Sequence, residues 1–136
     1  MGKVLILVRE SRYILELENI ETEPFIPEDC MEVESVDEFY EKLKENESHF
    51  QALYAKANSA NKRLKYVATF DNGKASAGLQ EIPSDHPLYN LEGKDNIVLF
   101  YTNRYVDQPL VIKGAGAGAD VTASGIFADI MKIANS

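Results

Sequence analysis

Absences set the first limits on this chain. Cys30 is its only cysteine, so no disulfide can close within it. A lone thiol suits a reducing cytosol, and a cytoplasmic location is the expectation. Glu28, Asp29 and Glu32 surround that thiol in sequence and disfavour a thiolate, which removes Cys30 as a nucleophile. No apolar run approaches the roughly 18 residues a spanning helix needs, so no membrane partner is expected. The opening Met1-Gly-Lys-Val-Leu-Ile-Leu-Val8 lacks the length and the small-residue cleavage site of a secretory signal. The two histidines, His49 and His86, belong to no H-x-x-H pattern, and C-x-x-C is absent, so no metal site is expected. G-x-S-x-G is missing as well, and no Ser/His/Asp set stands out. Bases are scarce: 14 Lys and Arg face 22 Asp and Glu, for a net charge of −8. Such a surface repels phosphate backbones, which argues against nucleic acid as a partner. Between Glu10 and Glu47 only Arg12, Lys42 and Lys44 oppose the acids, the pattern of a solvated acidic face.

What is present describes a globular α+β protein. The chain has 136 residues, 45% of them hydrophobic, which suits one domain with a sizeable core. Val4-Leu-Ile-Leu-Val8 is continuously apolar and reads equally as a buried strand or as part of a buried helix. Tyr13 to Phe25 reads as one or two extended segments closed by Pro24 and Pro27. Ser35 and Glu38 make a capping box, and Val36, Phe39, Tyr40 and Leu43 follow at helical spacing. Ser48 and Gln51 predict a second helix start, with Phe50, Leu53, Tyr54 and Ala57 forming its inner stripe. Leu64, Tyr66, Ala68 and Phe70 alternate along the clearest strand. Asn72-Gly73 then turns the chain, and Ala75 to Ile82 returns antiparallel. Asn96 to Arg104 is nearly continuous in apolar residues at its centre, as a central strand would be. A turn containing Pro109 leads to a short strand at Leu110 to Lys113. The last helix should bury Phe127, Ile130, Met131 and Ala134. Together these elements predict a mostly antiparallel sheet with helices on one face.

Two places could carry chemistry. Gly114-Ala-Gly-Ala-Gly-Ala119 lies between a strand and a helix that begins near Asp120. Gly114, Gly116 and Ala119 satisfy the G-x-G-x-x-A form of the dinucleotide fingerprint. The downstream strand and acidic residue that complete such a unit do not follow. The tract therefore reads as a connector, a phosphate loop, or a loop completing a site built elsewhere. Lys3 is the second candidate, because a lysine abutting an apolar run can be partly desolvated and suited to proton transfer.

Several stretches resemble the homoserine dehydrogenase family, most closely the C-terminal part of its bifunctional aspartokinase-linked members. These are Lys3-Val-Leu-Ile-Leu-Val-Arg-Glu10, Glu23-Pro-Phe-Ile-Pro27, Leu64-Lys-Tyr-Val67, Asp85-His-Pro-Leu-Tyr89, and Asp95-Asn-Ile-Val98 leading to Tyr105. Gly114-Ala-Gly-Ala-Gly-Ala-Asp-Val-Thr-Ala-Ser-Gly-Ile-Phe-Ala-Asp129 is similar to the family's C-terminal signature and is the most specific stretch. The resemblance implies an oxidoreductase that interconverts homoserine and aspartate semialdehyde with NAD(P), in the aspartate-derived route to threonine and methionine. It makes Lys3 the proton donor to the carbonyl oxygen and Val4 to Val8 helical. It sets Gly116 and Gly118 beside the nicotinamide, and it implies a homodimer formed through the sheet. Residues 1–113 then correspond to part of the catalytic and dimerisation domain. Residues 114–136 are the Gly-Ala loop and a helix that belongs with an absent nucleotide-binding domain. The family's aspartate four residues before the lysine falls ahead of Met1, and a substrate-binding glutamate lies further upstream. Met1-Gly2 accordingly reads as an internal or engineered start. The expectation is a fragment, inactive alone and with no cofactor bound. The competing reading is a non-enzymatic α+β module that dimerises or binds an anion at the Gly-Ala loop.

Overall fold

The computed structural model describes residues 1–135. The chain divides into two compact units, Met1–Tyr89 and the remainder from Asn90, each with its own sheet.

The first unit opens on helix α1 (Gly2–Glu10). The run that read equally as strand or helix is helical. Val4 and Val8 lie one turn apart and are buried, while Ile6 is exposed. The Ser11 hydroxyl donates to the Leu7 carbonyl at 2.8 Å at the end of the helix. Arg12, at φ 66°, then turns the chain back. The Arg9 Nε donates to the Leu15 carbonyl at 3.1 Å, and Leu15 is buried. The extended segment expected over Tyr13 to Phe25 shrinks to strand β1 (Ile20–Thr22), preceded by a 3-10 turn at Leu17–Asn19. The Asn19 side chain accepts the Glu16 N–H at 3.1 Å, so a side chain closes a turn where strand pairing was expected.

Strands β2 (Lys62–Asp71) and β3 (Lys74–Pro83) form the expected hairpin. Asn72 and Gly73 take φ 48° and 80°, the paired positive values that match the twist of the strands. The sheet order is β1-β3-β2, with β1 parallel to β3. Val4, Val8, Leu15, Ile20, Ala75 and Ala77 make one buried cluster, with Leu5 and Phe70 packed against it. The small side chains of Ala75 and Ala77 leave room for the α1 valines above them.

Three helices lie between β1 and β2: α2 (Glu28–Met31), α3 (Val36–Glu45) and α4 (Glu47–Ser59). Residues 75, 77 and 81 share one face of β3. The α1 valines meet the first two, and Lys56 of α4 reaches Glu81, so α1 and α4 sit on one side of the sheet. On the other face Thr69 and Ser76 join hydroxyls at 2.8 Å.

The α3 cap forms as read, with the Ser35 Oγ accepting the Glu38 N–H at 3.2 Å. The Glu38 carboxylate returns to the Glu34 N–H, one residue earlier than a capping box requires. The box expected at Ser48 and Gln51 does not form. Asn46 ends α3 and begins α4, and its carbonyl already accepts the His49 N–H, so Ser48 falls inside the first turn.

The second unit holds β4 (Asp95–Thr102), β5 (Tyr105–Ala115) and α5 (Ala119–Ala134). The strand expected to be central pairs with β5 alone among the described residues. The turn falls at Asn103-Arg104 rather than at Pro109, because the Thr102 Oγ accepts both the Arg104 and Tyr105 N–H groups at 3.3 Å. Pro109 lies inside β5, opposite an irregularity between Phe100 and Thr102. A residue with no N–H is tolerated there. The burial expected for α5 is absent, with Phe127 63%, Ile130 56% and Met131 45% exposed. An apolar stripe records what a helix is built to pack against, not whether that surface is present.

Candidate functional site

Lys3 stands in the first turn of α1, exposed, next to buried Val4. The core valines hold α1 against the sheet and so fix the helix that carries Lys3.

Gly116 and Gly118 lie together in the second unit, in the short link between β5 and α5. The Gly-Ala tract begins as strand, since Gly114 and Ala115 pair with Asn96 and Asp95. At Gly116 the N–H donates to the Lys94 carbonyl at 3.0 Å. A Cβ there would overlap the Asn96 side-chain amide, so close approach requires glycine. Gly118 sits at φ 137°, a conformation that side chains disfavour. Its carbonyl accepts the Thr122 N–H at 3.1 Å and opens α5. Gly114, the first glycine of the fingerprint, has open space where its Cβ would be.

This geometry fits a dinucleotide pyrophosphate poorly. Asn96 covers the glycine that would have to meet the phosphates. Asp120 puts a carboxylate in the first turn of α5, where an anion would need positive potential. The tract is a crossing from strand to helix whose two constrained glycines are Gly116 and Gly118.

The remaining titratable candidates have structural roles. The His49 Nε2 lies 3.1 Å from the Phe25 carbonyl and ties α4 to the segment before α2. The His86 Nδ1 accepts the Leu88 N–H at 3.2 Å within its own turn. Cys30 is fully buried, and burial, then the Asp29 charge, push its thiol pKa up. Among the described residues no cluster of His, Cys, Asp and Glu could hold a metal ion. No helix of the described residues is long and apolar enough to cross a membrane. Lys62, Arg63 and Lys65 line a cleft that no sequence motif marks, although three bases in four positions stand out in so acidic a chain. In sequence they serve only as the start of a strand.

The fold and the loop define an α+β chain ending in a glycine-hinged strand-to-helix crossing. The chain belongs to the homoserine dehydrogenase family, whose model matches residues 1–131. It is similar to the maize chloroplastic bifunctional aspartokinase/homoserine dehydrogenase 2, with 40% identity over 98% of this chain and 15% of the maize protein. The Escherichia coli K12 bifunctional aspartokinase/homoserine dehydrogenase 2 is 43% identical over 98% of this chain and 16% of its own length. A crystal structure of a Candida auris protein of unknown function superposes with TM-score 0.85 at 40% identity, covering 98% of this chain and 38% of that one. The chain thus spans about one-sixth of these bifunctional relatives or less.

Proposed function

We propose that this chain supplies part of the catalytic half of an enzyme that interconverts homoserine and aspartate semialdehyde with NAD(P). The single observation that supports the reading most is the family match across residues 1–131, which includes both Lys3 and the Gly-Ala crossing. In this reading Lys3, carried on a helix anchored by Val4 and Val8, gives a proton to the aldehyde oxygen during reduction and takes it back in the reverse direction. The nicotinamide supplies the hydride chemistry when bound. The backbone at Gly116 and Gly118 lies at the nicotinamide end, while the pyrophosphate belongs to a separate dinucleotide-binding domain. The poor fit of the Gly-Ala tract to a pyrophosphate supports that division. We extend the reading to self-association through the sheet and to a cytoplasmic setting that keeps Cys30 a thiol.

The test joins this chain to the dinucleotide-binding domain and the upstream catalytic segment of a family member, and replaces Lys3 by Ala. Turnover should fall about 10²- to 10⁴-fold, the usual worth of a positioned proton donor, with KM for homoserine little changed. An unchanged turnover number removes Lys3 from the mechanism. The 136-residue chain alone should show no homoserine-dependent reduction of NAD(P). Measurable turnover by it would sink the reading of an incomplete site.

A further inference from the structure

We propose that the apolar groove between α3, α4 and the segment before α2 docks a basic amphipathic helix of a partner protein. Phe25, Ile26, Phe39, Leu43 and Phe50 line it, and its volume is about 320 Å³. All five are half-buried. A small-molecule site carries a few placed polar groups that orient its ligand, and no polar side chain lines this groove. Such walls suit the apolar side chains that anchor a helix.

Polar bonds outside the lining hold the walls in a fixed relation. The Asn46 amide, at the junction of α3 and α4, donates to Asp29 of α2 at 3.0 Å. The His49 Nε2 of α4 lies 3.1 Å from the Phe25 carbonyl. The Phe25 ring packs on Tyr66 of β2, with centroids 5.8 Å apart. Walls fixed before binding reduce the ordering cost of association. The apolar surface continues along α3, where Val36 and Tyr40 share the helical stripe of Phe39 and Leu43 and are 69% and 58% exposed. The 10 residues of α3 offer a strip of roughly 15 Å, long enough for the i, i+4 and i+7 anchors of a partner helix.

Charge selects the occupant. Fourteen of the 22 acids and five of the 14 bases lie within the first 47 residues, so this end of the chain is more negative than the whole. Each lining element carries acids beside its apolar residues: Glu28 and Asp29 after Ile26, Glu38 before Phe39, and Glu47 three residues ahead of Phe50. Lys42 and Lys44, the only bases between Glu28 and Glu47, are engaged by Glu45 at 2.6 Å and Glu41 at 2.7 Å. Acids around an apolar strip attract lysines and arginines that flank apolar anchors. They repel an anionic membrane surface, nucleic acid, and a second copy presenting this same face. The site stands apart from the redox reading, because it invokes neither Lys3 nor the Gly-Ala loop.

Fluorescence anisotropy on the 136-residue chain tests it at physiological salt, which screens charges more than about 8 Å apart. The probe is a labelled peptide of about four helical turns, with leucines on one face and lysines on the other. It should bind saturably at one per chain, with Kd about 100 μM or tighter. The same composition in scrambled order should bind at least about tenfold more weakly, and the same pattern with glutamates for lysines should not bind. Val36→Lys, at an exposed position on the strip, should weaken binding about tenfold by setting a like charge against the lysines. Leu43→Ala should do the same by removing an anchor contact. Ile126→Lys makes the first charge change on α5, and should leave binding unchanged. Circular dichroism matching the parent shows that each variant is folded, and Val36→Lys decides the matter where Leu43→Ala does not fold. Absence of saturable binding up to about 1 mM overturns the proposal. So does equal binding of the scrambled peptide, or equal weakening by Ile126→Lys. Loss of self-association in Val36→Lys without peptide binding assigns the groove to a second copy and overturns it as well.

Discussion

Glu81 shows how much one residue in this chain depends on its neighbours. Its carboxylate accepts from Lys56 on α4 and Lys62 on β2, drawing a helix and a strand to one point. The hydrogen bond from Lys56 outweighs the opposing effect of burial and holds the Glu81 pKa below its usual range. The same contact holds Lys56 above its own. A carboxylate lowered on folding contributes stability at neutral pH, and that contribution disappears as pH falls from its unfolded value, about 4, through the lower folded one. The raised lysine contributes below its unfolded value near 10 and loses that contribution as pH rises through the folded one. The stability gap between the parent and Glu81→Gln should therefore narrow between pH 7 and pH 3 in urea titrations. A gap independent of pH would show that the ion pair contributes nothing. Cys30 is legible at the same scale. The acids beside it in sequence pointed to an unreactive thiol, and the fold adds burial as the larger cause.

At the scale of elements, local chemistry was readable wherever the partners lie within a few residues. Ser35 caps α3 through the Glu38 N–H, and Asn72-Gly73 turns β2 into β3 with Asp71 facing Lys74. Ser35→Ala should destabilise the first unit by about 1 kcal/mol, the usual cost of removing such a cap. A shift in the urea midpoint with unchanged slope would register it. Ser35→Asp should restore it. Readings failed where a rival neighbour took the role. Asn46 displaced Ser48 as the start of α4, and its amide donates to the Lys42 carbonyl at 3.1 Å and to Asp29 at 3.0 Å. Thr102 displaced Pro109 as the turn, because a hydroxyl able to accept two N–H groups outweighs the weak turn preference of a proline that an edge bulge can absorb.

For the whole molecule the question is where the apolar surface goes. The first unit buries a cluster of small and β-branched residues, whereas no described residue of the second is fully buried. Val111 and Ile112 on β5 and Phe127 and Ile133 on α5 all face water. Apolar area on this scale favours association. Sedimentation at rising concentration should show the chain self-associating. Mixing with a dinucleotide-binding fragment of the family should convert that self-associated form to a defined complex. A monodisperse monomer at high concentration, unchanged by the mixing partner, would rule out both.

The order of elements, the cap at Ser35, the Asn72-Gly73 hairpin and the family were all determined by the sequence itself, because each depends on near neighbours or on a long run of matching residues. Tertiary structure decided what depends on distant ones. It made Val4 to Val8 helical by giving Val4 and Val8 a shared face against Ala75 and Ala77. It showed which glycines are constrained, since only the fold brings Asn96 against Gly116 and turns the backbone at Gly118. It also gathered Lys62, Arg63 and Lys65 into one cleft with Tyr54 and Tyr89, a grouping that the strand pattern of residues 62–65 does not contain.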